Sequence, residues 1–272
     1  MSLRAGSSRR ALLCALTFVL ALAITVPAYS KVRASRDAKA VANAFMRDKD
    51  LQKGGTDADF ITIPPEGRPA GFSDKKLANF PRSGSHFAIL STGNTLFAPK
   101  PNMSEATSFN NHGPTFRGAR DLVMLRVKFN VPKGNNCLFF NFKFLSDEFP
   151  EFVDENYNDA FIAELDESTW DSPRADPTID YTPANFAEDA DGNRISVNAV
   201  NDLAVSRKHA RGTTYDAATQ ILRASTPVTR GEHTLFLSLF DQGDRQYDST
   251  VFVDGLKFDR QATCNSGVVV AP

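Results

Sequence analysis

From residue 86 onward, apolar and polar residues recur with the period of two that marks half-buried strands. Leu125, Val127, Phe129 and Val131 alternate with Arg126, Lys128 and Asn130, and Pro132 ends the run. Cys137 to Leu145 sets Leu138, Phe140, Phe142 and Phe144 on one face and a mixed row of Phe139, Asn141, Lys143 and Leu145 on the other. Ile195 to Ala199 alternates too, and Thr250 to Phe258 closes the set with Val251, Phe252, Val253, Leu256 and Phe258. Thr234 to Phe240 is apolar on both faces, as a central strand between covering layers would be. Phe-rich strands separated by polar loops predict a mostly-β chain, an antiparallel two-sheet β-sandwich of jelly-roll-like form.

One stretch has helical spacing instead. Val41, Ala44 and Phe45 recur at that spacing among Lys31, Arg33, Arg36, Lys39, Arg47, Lys49 and Lys53. They predict a short N-terminal amphipathic helix, packed on a sheet edge with its charged face in water. Gly54-Gly55 ends it, and Pro64-Pro65, Pro69 and Gly71 make residues 54–84 read mostly as loop.

Residues 1–30 fit neither period. Arg4, Arg9 and Arg10 precede an apolar run from Ala11 to Val26, and Pro27-Ala28-Tyr29-Ser30 places small residues three and one before a cut after Ser30. That order is the secretory pattern, and the run is shorter than the ~20 residues a spanning helix needs. The expected organisation is a signal peptide at 1–30, a linker at 31–37, one sandwich domain at 38–262 and a tail at 263–272. The tail, ending in Val268-Val269-Val270-Ala271-Pro272, is too short to anchor the chain, so the mature protein is expected to be secreted.

Export changes the charge and the cysteine count. The whole chain has 31 basic and 32 acidic side chains, and loss of the three arginines leaves 28 against 32. A mildly acidic chain without a basic patch is a poor match for nucleic acid, whose binding rests on phosphate neutralisation. Cys14 leaves with the signal, and the remaining pair, Cys137 and Cys264, predicts one disulfide in an oxidising compartment.

The candidate chemistry lies in two acidic loops. Between Asp147 and Asp171 there are ten acidic residues and no Lys or Arg, and the cluster Asp241–Ser249 follows the strand Thr234–Phe240. Each loop leaves the C-terminal end of a strong strand, so the two meet if those strands run the same way. Carboxylates brought together repel unless a cation lies between them, and calcium takes six to eight oxygens in flexible geometry. The expected ligand set is Asp147, Glu148, Asn158 and Asp159 from the first loop and Asp241, Asp244 and Asp248 from the second, with Gly243 allowing the sharp turn. Neither loop holds His or Cys, which disfavours zinc and copper. The alternative is a solvated acidic rim in which Asp and Asn form turns. Asp189-Ala190-Asp191-Gly192-Asn193 departs from a helix–loop–helix calcium site and reads as a tight hairpin turn.

Catalytic signatures are sparse. His86, His112, His209 and His233 are scattered, no nucleophile elbow or phosphate loop occurs, and Cys137 lies in a core strand. A two-carboxylate hydrolase stays open because the separation of the acids is invisible in sequence. Tyr157, Trp170 and Tyr181 are either platforms for sugar rings or packing beneath a long loop.

Ala88-Ile89-Leu90-Ser91-Thr92-Gly93-Asn94 with Pro101-Asn102 is followed by Phe142 to Phe152, reading FKFLSDEFPEF. Asn158-Asp159-Ala160-Phe161, Ile195-Ser196-Val197-Asn198, Tyr215-Asp216-Ala217-Ala218-Thr219 and Phe240 to Phe252 then follow in order. Over roughly residues 38–260 this series resembles the choice-of-anchor L domain. The resemblance implies a bacterial secreted or surface β-sandwich, its members attached by assorted C-terminal anchors. Phe149 stands where the family often has Tyr, and Ala217 where Gly is usual; no C-terminal sorting signal is recognisable, which favours free secretion. The expected function is a secreted, calcium-stabilised, non-catalytic adhesion or matrix module with an extracellular protein or glycan partner. A carbohydrate-binding sandwich and a secreted hydrolase are the alternatives.

Overall fold

The alternation at Leu125–Val131 belongs to a longer strand, β5 (Ala119–Val131). The computed structural model describes residues 32–47, 57–81, 84–100, 111–113, 115–171, 182 and 184–272. The expected signal segment, the linker's Lys31, Pro101-Asn102 and Tyr181 lie outside the described residues. In one sheet β5 sits in the order β2 (Asp57–Thr62), β5, β11 (Gly231–Gln242), β7 (Ala160–Leu165) and β8 (Ile195–Ser196). The other sheet runs β1 (Val32–Ala34), β3 (Ala70–Ser73), β4 (Phe87–Ser91), β12 (Ser249–Asp259), β6 (Cys137–Ser146), β10 (Leu222–Pro227) and β13 (Gly267–Val270). A short β9 (Ala217–Ala218) pairs with the end of β6. Every pairing between these strands is antiparallel, as the alternating pattern predicts.

The main core lies between the sheets. Leu138, Phe140, Phe142 and Phe144 of β6 and Val251 and Val253 of β12 meet Val123, Leu125 and Val127 of β5, Phe161 of β7 and Leu235, Leu237 and Leu239 of β11. Phe142 and Phe161 touch across the interface with ring centroids 5.2 Å apart. Each fully buried side chain of this size contributes about 1.5–3 kcal/mol of hydrophobic stabilisation. The outer faces are covered as well. Phe80, Phe87, Ile89, Leu145, Tyr215 and Phe252 pack outside the larger sheet, and Met124, Ile162, Trp170 and Phe240 outside the smaller one. This second layer is why Thr234–Phe240 is apolar on both faces and why the whole of β6 is buried.

The helix α1 (Ala38–Phe45) starts at Asp37, whose Oδ1 accepts hydrogen bonds from the Lys39 and Ala40 N–H groups. It contacts β2 of one sheet and β3, β4 and β12 of the other. Val41 and Phe45 are buried in the main core, so the helix plugs an open side of the sandwich rather than resting on a sheet edge.

Several expected boundaries move. Residues 54–84, read as loop, include β2 and β3, and the expected linker and tail supply the strands β1 and β13. The strands β1, β3 and β13 are too short to show a period and β2 does not alternate cleanly, so their neighbours in the sheet hold them there. Conversely, only Ile195–Ser196 of the expected Ile195–Ala199 strand pairs, with β7. Beyond it the chain turns, because the Asn158 side chain accepts from the Asn198 N–H and Ala199 N–H donates to the Ser196 carbonyl. The Asp189–Asn193 turn forms as expected, with Asp189 Oδ1 accepting from the Asp191 and Asn193 N–H groups. Cys137 and Cys264 are joined, linking the start of β6 to the chain just past β12.

Candidate functional site

At one end of the sandwich the inward-facing rows of several strands finish in polar residues. On β11, Leu235, Leu237 and Leu239 are followed in the row by Asp241, and Asp159 precedes Phe161 and Ala163 with the same parity. Ser249 likewise precedes Val251 and Val253, Thr92 follows Ala88 and Leu90, and Glu148 lies just beyond the end of β6. All five polar side chains are buried.

Asp159 ties this end together. Its N–H donates to Glu148 Oε2 at 3.1 Å, its Oδ1 accepts from the Gln242 N–H at 3.2 Å, and its Oδ2 accepts from Ser249 Oγ at 2.7 Å. Asn158 N–H donates to the Gln242 carbonyl and Asp147 N–H to the Asp248 carbonyl, so the two acidic loops meet. Asp241 is different. It is 1% exposed, and neither carboxylate oxygen has a hydrogen-bond partner. The Thr92 hydroxyl lies near it but donates to the Ser249 carbonyl at 3.4 Å.

Burial dominates the electrostatics. Desolvation pushes the Glu148 carboxyl up to about 7, against the hydrogen bond from Asp159 N–H and with the Asp244 charge adding to the rise. Asp159 is held well above the usual carboxylate range, first by desolvation and then by the charges of Asp241 and Glu148. Asp241 rises likewise by desolvation, against the lowering effect of the neighbouring Thr92 hydroxyl and Asp159 carboxyl and with the charges of Asp121 and Glu148 adding to the rise. Three acids thus share one dry end of the core, and none of them has a cationic partner among the causes of these shifts.

The seven expected ligands separate into groups. Glu148, Asp159 and Asp241 come together, with half-buried Asp244 at their margin, where its Oδ1 accepts from the Gln246 N–H. Asp147 and Asp248 belong to a different environment. Asp147 Oδ1 accepts from the Asp216 N–H, and Asp248 lies against Gly93, where a Cβ would come within 1.7 Å of its Oδ2. Both carboxylates raise the pKa of the buried Tyr215 hydroxyl, after the larger effect of its own desolvation. Asn158 holds the turn at Asn198. Gly243 has φ +103°, and a Cβ there would sit 2.8 Å from the Tyr157 ring, so the turn does require glycine.

The sequence reading missed a fourth acid. Asp121 sits where the β5–β11 register shifts, with φ +45°, and is buried. Its carboxylate accepts from the Asn111 and Gly113 N–H groups at 3.2 and 2.6 Å, and Arg245 Nε lies 3.5 Å away. A bulge leaves no mark on a count of alternating residues, so Arg120-Asp121 reads only as the polar lead of a strand.

Among the described residues no three His, Cys, Asp or Glu side chains stand as a ready-made metal cluster. What the loop end offers is oxygen chemistry alone: three desolvated carboxyls, two hydroxyls, and both oxygens of Asp241 unbonded. That donor set fits a hard cation such as calcium. The other expected roles fare differently. Trp170 is 3% exposed, packs edge-on to Phe240 and donates from Nε1 to Ser238 Oγ at 3.0 Å, so it is packing and not a sugar platform. Tyr157 packs against Phe152, with ring centroids 5.3 Å apart. A pair of hydrolytic carboxyls must face a substrate cleft, whereas Glu148, Asp159 and Asp241 are each 1% exposed.

The family profile described as Choice-of-anchor L domain matches residues 52–259. No curated protein matches the chain. Among solved structures, similarity extends to the K2 cleaved adhesin domain of Lys-gingipain, with 12% identity over 75% of this chain and 89% of that one and a TM-score of 0.32. It also extends to TmCBM61, in complex with β-1,4-galactotriose, with 7% identity over 84% and 99% and a TM-score of 0.31. Likenesses of this size carry no functional argument.

Proposed function

The chain belongs to the choice-of-anchor L domain family, and from that premise we propose that it is an exported, non-catalytic binding module whose loop end is closed by calcium. The family places its members outside the cell or on its surface, where calcium is plentiful and a cysteine pair can be oxidised. No helix among the described residues is long and apolar enough to cross a membrane.

The observation that carries the reading is Asp241, a buried carboxyl with both oxygens unbonded, beside two further desolvated acids. Such a group must be neutralised by a proton or by a cation. Glu148, Asp159 and Asp241 would hold the ion, with Thr92 and Ser249 supplying hydroxyl oxygens and Asp244 at the margin. The calcium would supply structural charge balance, tying β6, β7, β11 and β12 at one end so that the loops beyond them keep one shape.

At a hundredfold excess over its dissociation constant, an ion that binds only the folded state adds about 2.7 kcal/mol. The melting temperature at pH 8 should therefore rise with calcium, fall with chelator and respond weakly to magnesium. Asp241→Asn should remove the calcium response while leaving the protein folded. Asp189→Asn, in a turn that resembles a calcium loop only superficially, should leave the response intact. An identical melting curve in calcium and in chelator would defeat the proposal.

A further inference from the structure

The outer face of the larger sheet carries a second concentration of charge, opposite in sign. Lys143 of β6 lies cross-strand from Phe252 of β12, which packs in the apolar layer of that face with Phe80 and Phe87. Only 2% of Lys143 is exposed. Its Nζ donates to the Ala78 carbonyl at 3.0 Å and the His209 carbonyl at 2.8 Å. Those carbonyls belong to two loops from distant parts of the chain, so the buried ammonium fastens them side by side. No carboxylate among the described residues pairs with it.

Between the two loops is an open cavity of about 540 Å³. Lys76 and Asn79 line it from one loop, and Lys208, His209 and Arg211 from the other. The three long cations are exposed, and no acidic residue lines the cavity. Among the described residues none of the three forms an ion pair with a carboxylate. Desolvation holds the His209 imidazole below its ordinary pKa, and the positive charges of Lys143 and Lys208 add to that lowering. Like charges arranged around a concave polar surface repel one another and attract an anion. Ammonium and guanidinium groups together suit an oxyanion.

We propose that this cavity binds an oxyanion group, a sulfate ester or a uronate carboxylate, carried by an acidic extracellular polysaccharide. Three features favour a polysaccharide over other anionic polymers. The walls are mainly polar, their apolar members being the buried Leu77 and the small Ala78, and they hold no long apolar slot for a lipid chain. Apart from the His209 ring they present no aromatic face for a nucleobase. The volume suits a sugar unit bearing one charged group, with Asn79 available to hydroxyls. The site uses none of the loop-end acids and does not depend on calcium there.

The test is binding of dextran sulfate, polygalacturonate and uncharged dextran to the full secreted chain, measured by titration calorimetry in chelator and in calcium. Wild-type protein should bind one or both charged polymers saturably and not the neutral one, with affinity falling as salt rises. The exposed triple variant Lys76→Gln, Lys208→Gln, Arg211→Gln should lose about tenfold or more in affinity while melting like the wild type. Equal binding by the variant, or no saturable binding of either charged polymer, would overturn the proposal. So would retention on phosphatidylglycerol vesicles without binding to either charged polysaccharide. Calcium-independent binding beside a failed calcium response would separate this site from the loop-end reading.

Discussion

The acidic loop end and the basic outer face solve opposite problems with one strand. β6 begins at the disulfide-bonded Cys137, carries Lys143 outward at its middle and delivers Glu148 just past its end. At the loop end, charge is dense in sequence and buried in space, so desolvation raises the pKa of Glu148, Asp159 and Asp241 and favours their neutral forms. On the outer face, Lys76 comes from one loop and Lys208 and Arg211 from another, and all three side chains are exposed. A dry charged cluster has to be neutralised by a proton or a cation, whereas a wet one is open to an external partner.

Cutting the strand's anchor should have the largest effect, because both regions hang from it. The Cys137–Cys264 bridge spans 127 residues, and for a loop of this order the chain-entropy model gives at most about 4–5 kcal/mol. Guanidinium unfolding of a Cys137→Ser, Cys264→Ser variant should show a loss of that order, with the calcium and polyanion responses weakened together. If one response persists at full strength while the other vanishes, the two regions are not coupled through β6.

The two regions also differ in how far the sequence betrays them. The acid-rich loops stand out as a run of carboxylates, and Asp241 continues the Leu235, Leu237, Leu239 row, so its inward direction follows from the period alone. What the row could not say is which acids share a space. Asp147 and Glu148 are neighbours in sequence but serve different environments, and Asp121 joins through a register shift that alternation does not record. The sandwich itself was legible because Leu125–Val131 alternates strictly and Cys137–Leu145, Thr234–Phe240 and Thr250–Phe258 are long Phe-rich apolar segments bounded by polar loops. The short strands β1, β3 and β13 were not, since three or four residues cannot display a period and only their partners fix them. The basic cavity was missed because its cations come from two short basic stretches far apart in the chain, Lys75-Lys76 and Arg207-Lys208-His209-Ala210-Arg211. It exists because Lys143 fastens together two loops that are far apart in the chain.

Titration sharpens the contrast between a dry and a wet cluster. Glu148 and Glu164 are each pushed up to about 7, desolvation being the first cause in both. Unfolded, they titrate near 4.3. A carboxyl whose folded pKa is raised contributes stability below its unfolded value and loses it as pH climbs through the folded value. In chelator these two groups should therefore cost the protein stability as pH climbs from about 4.3 to about 7, by up to about 3 kcal/mol each. Calcium should recover the share due to Glu148 and not that of Glu164, whose Oε1 accepts from the Thr169 N–H and hydroxyl in a separate pocket of the fold. Glu148→Gln should flatten both the pH profile and the calcium response, and Glu164→Gln the profile alone. Calcium stabilisation that is as large at pH 5 as at pH 8 would contradict the role given to these carboxyls.

The smallest effect at neutral pH should come from Lys143→Met, and its pH signature makes it informative. Methionine has nearly the same length and removes the cost of burying a charge, but it leaves the Ala78 and His209 carbonyls without their donor. An unsatisfied buried acceptor costs about 1–3 kcal/mol, and relief of a buried charge is of similar size, so the net change should stay within about 1 kcal/mol. The pH dependence does not cancel in this way. Desolvation lowers the Lys143 pKa to about 8, while the unfolded chain titrates near 10.4. Between these values the unfolded state binds more protons, so the wild type gains stability as pH rises and the variant does not. Subtracting the two unfolding curves removes tyrosines and other groups common to both proteins. The difference should slope upward above pH 8, and a flat difference would show that the ammonium is not held in the dry layer. With the loops no longer fastened, the variant should also bind the charged polysaccharide more weakly, although Lys76, Lys208 and Arg211 are all still present. That separates the placing of the cations from their number.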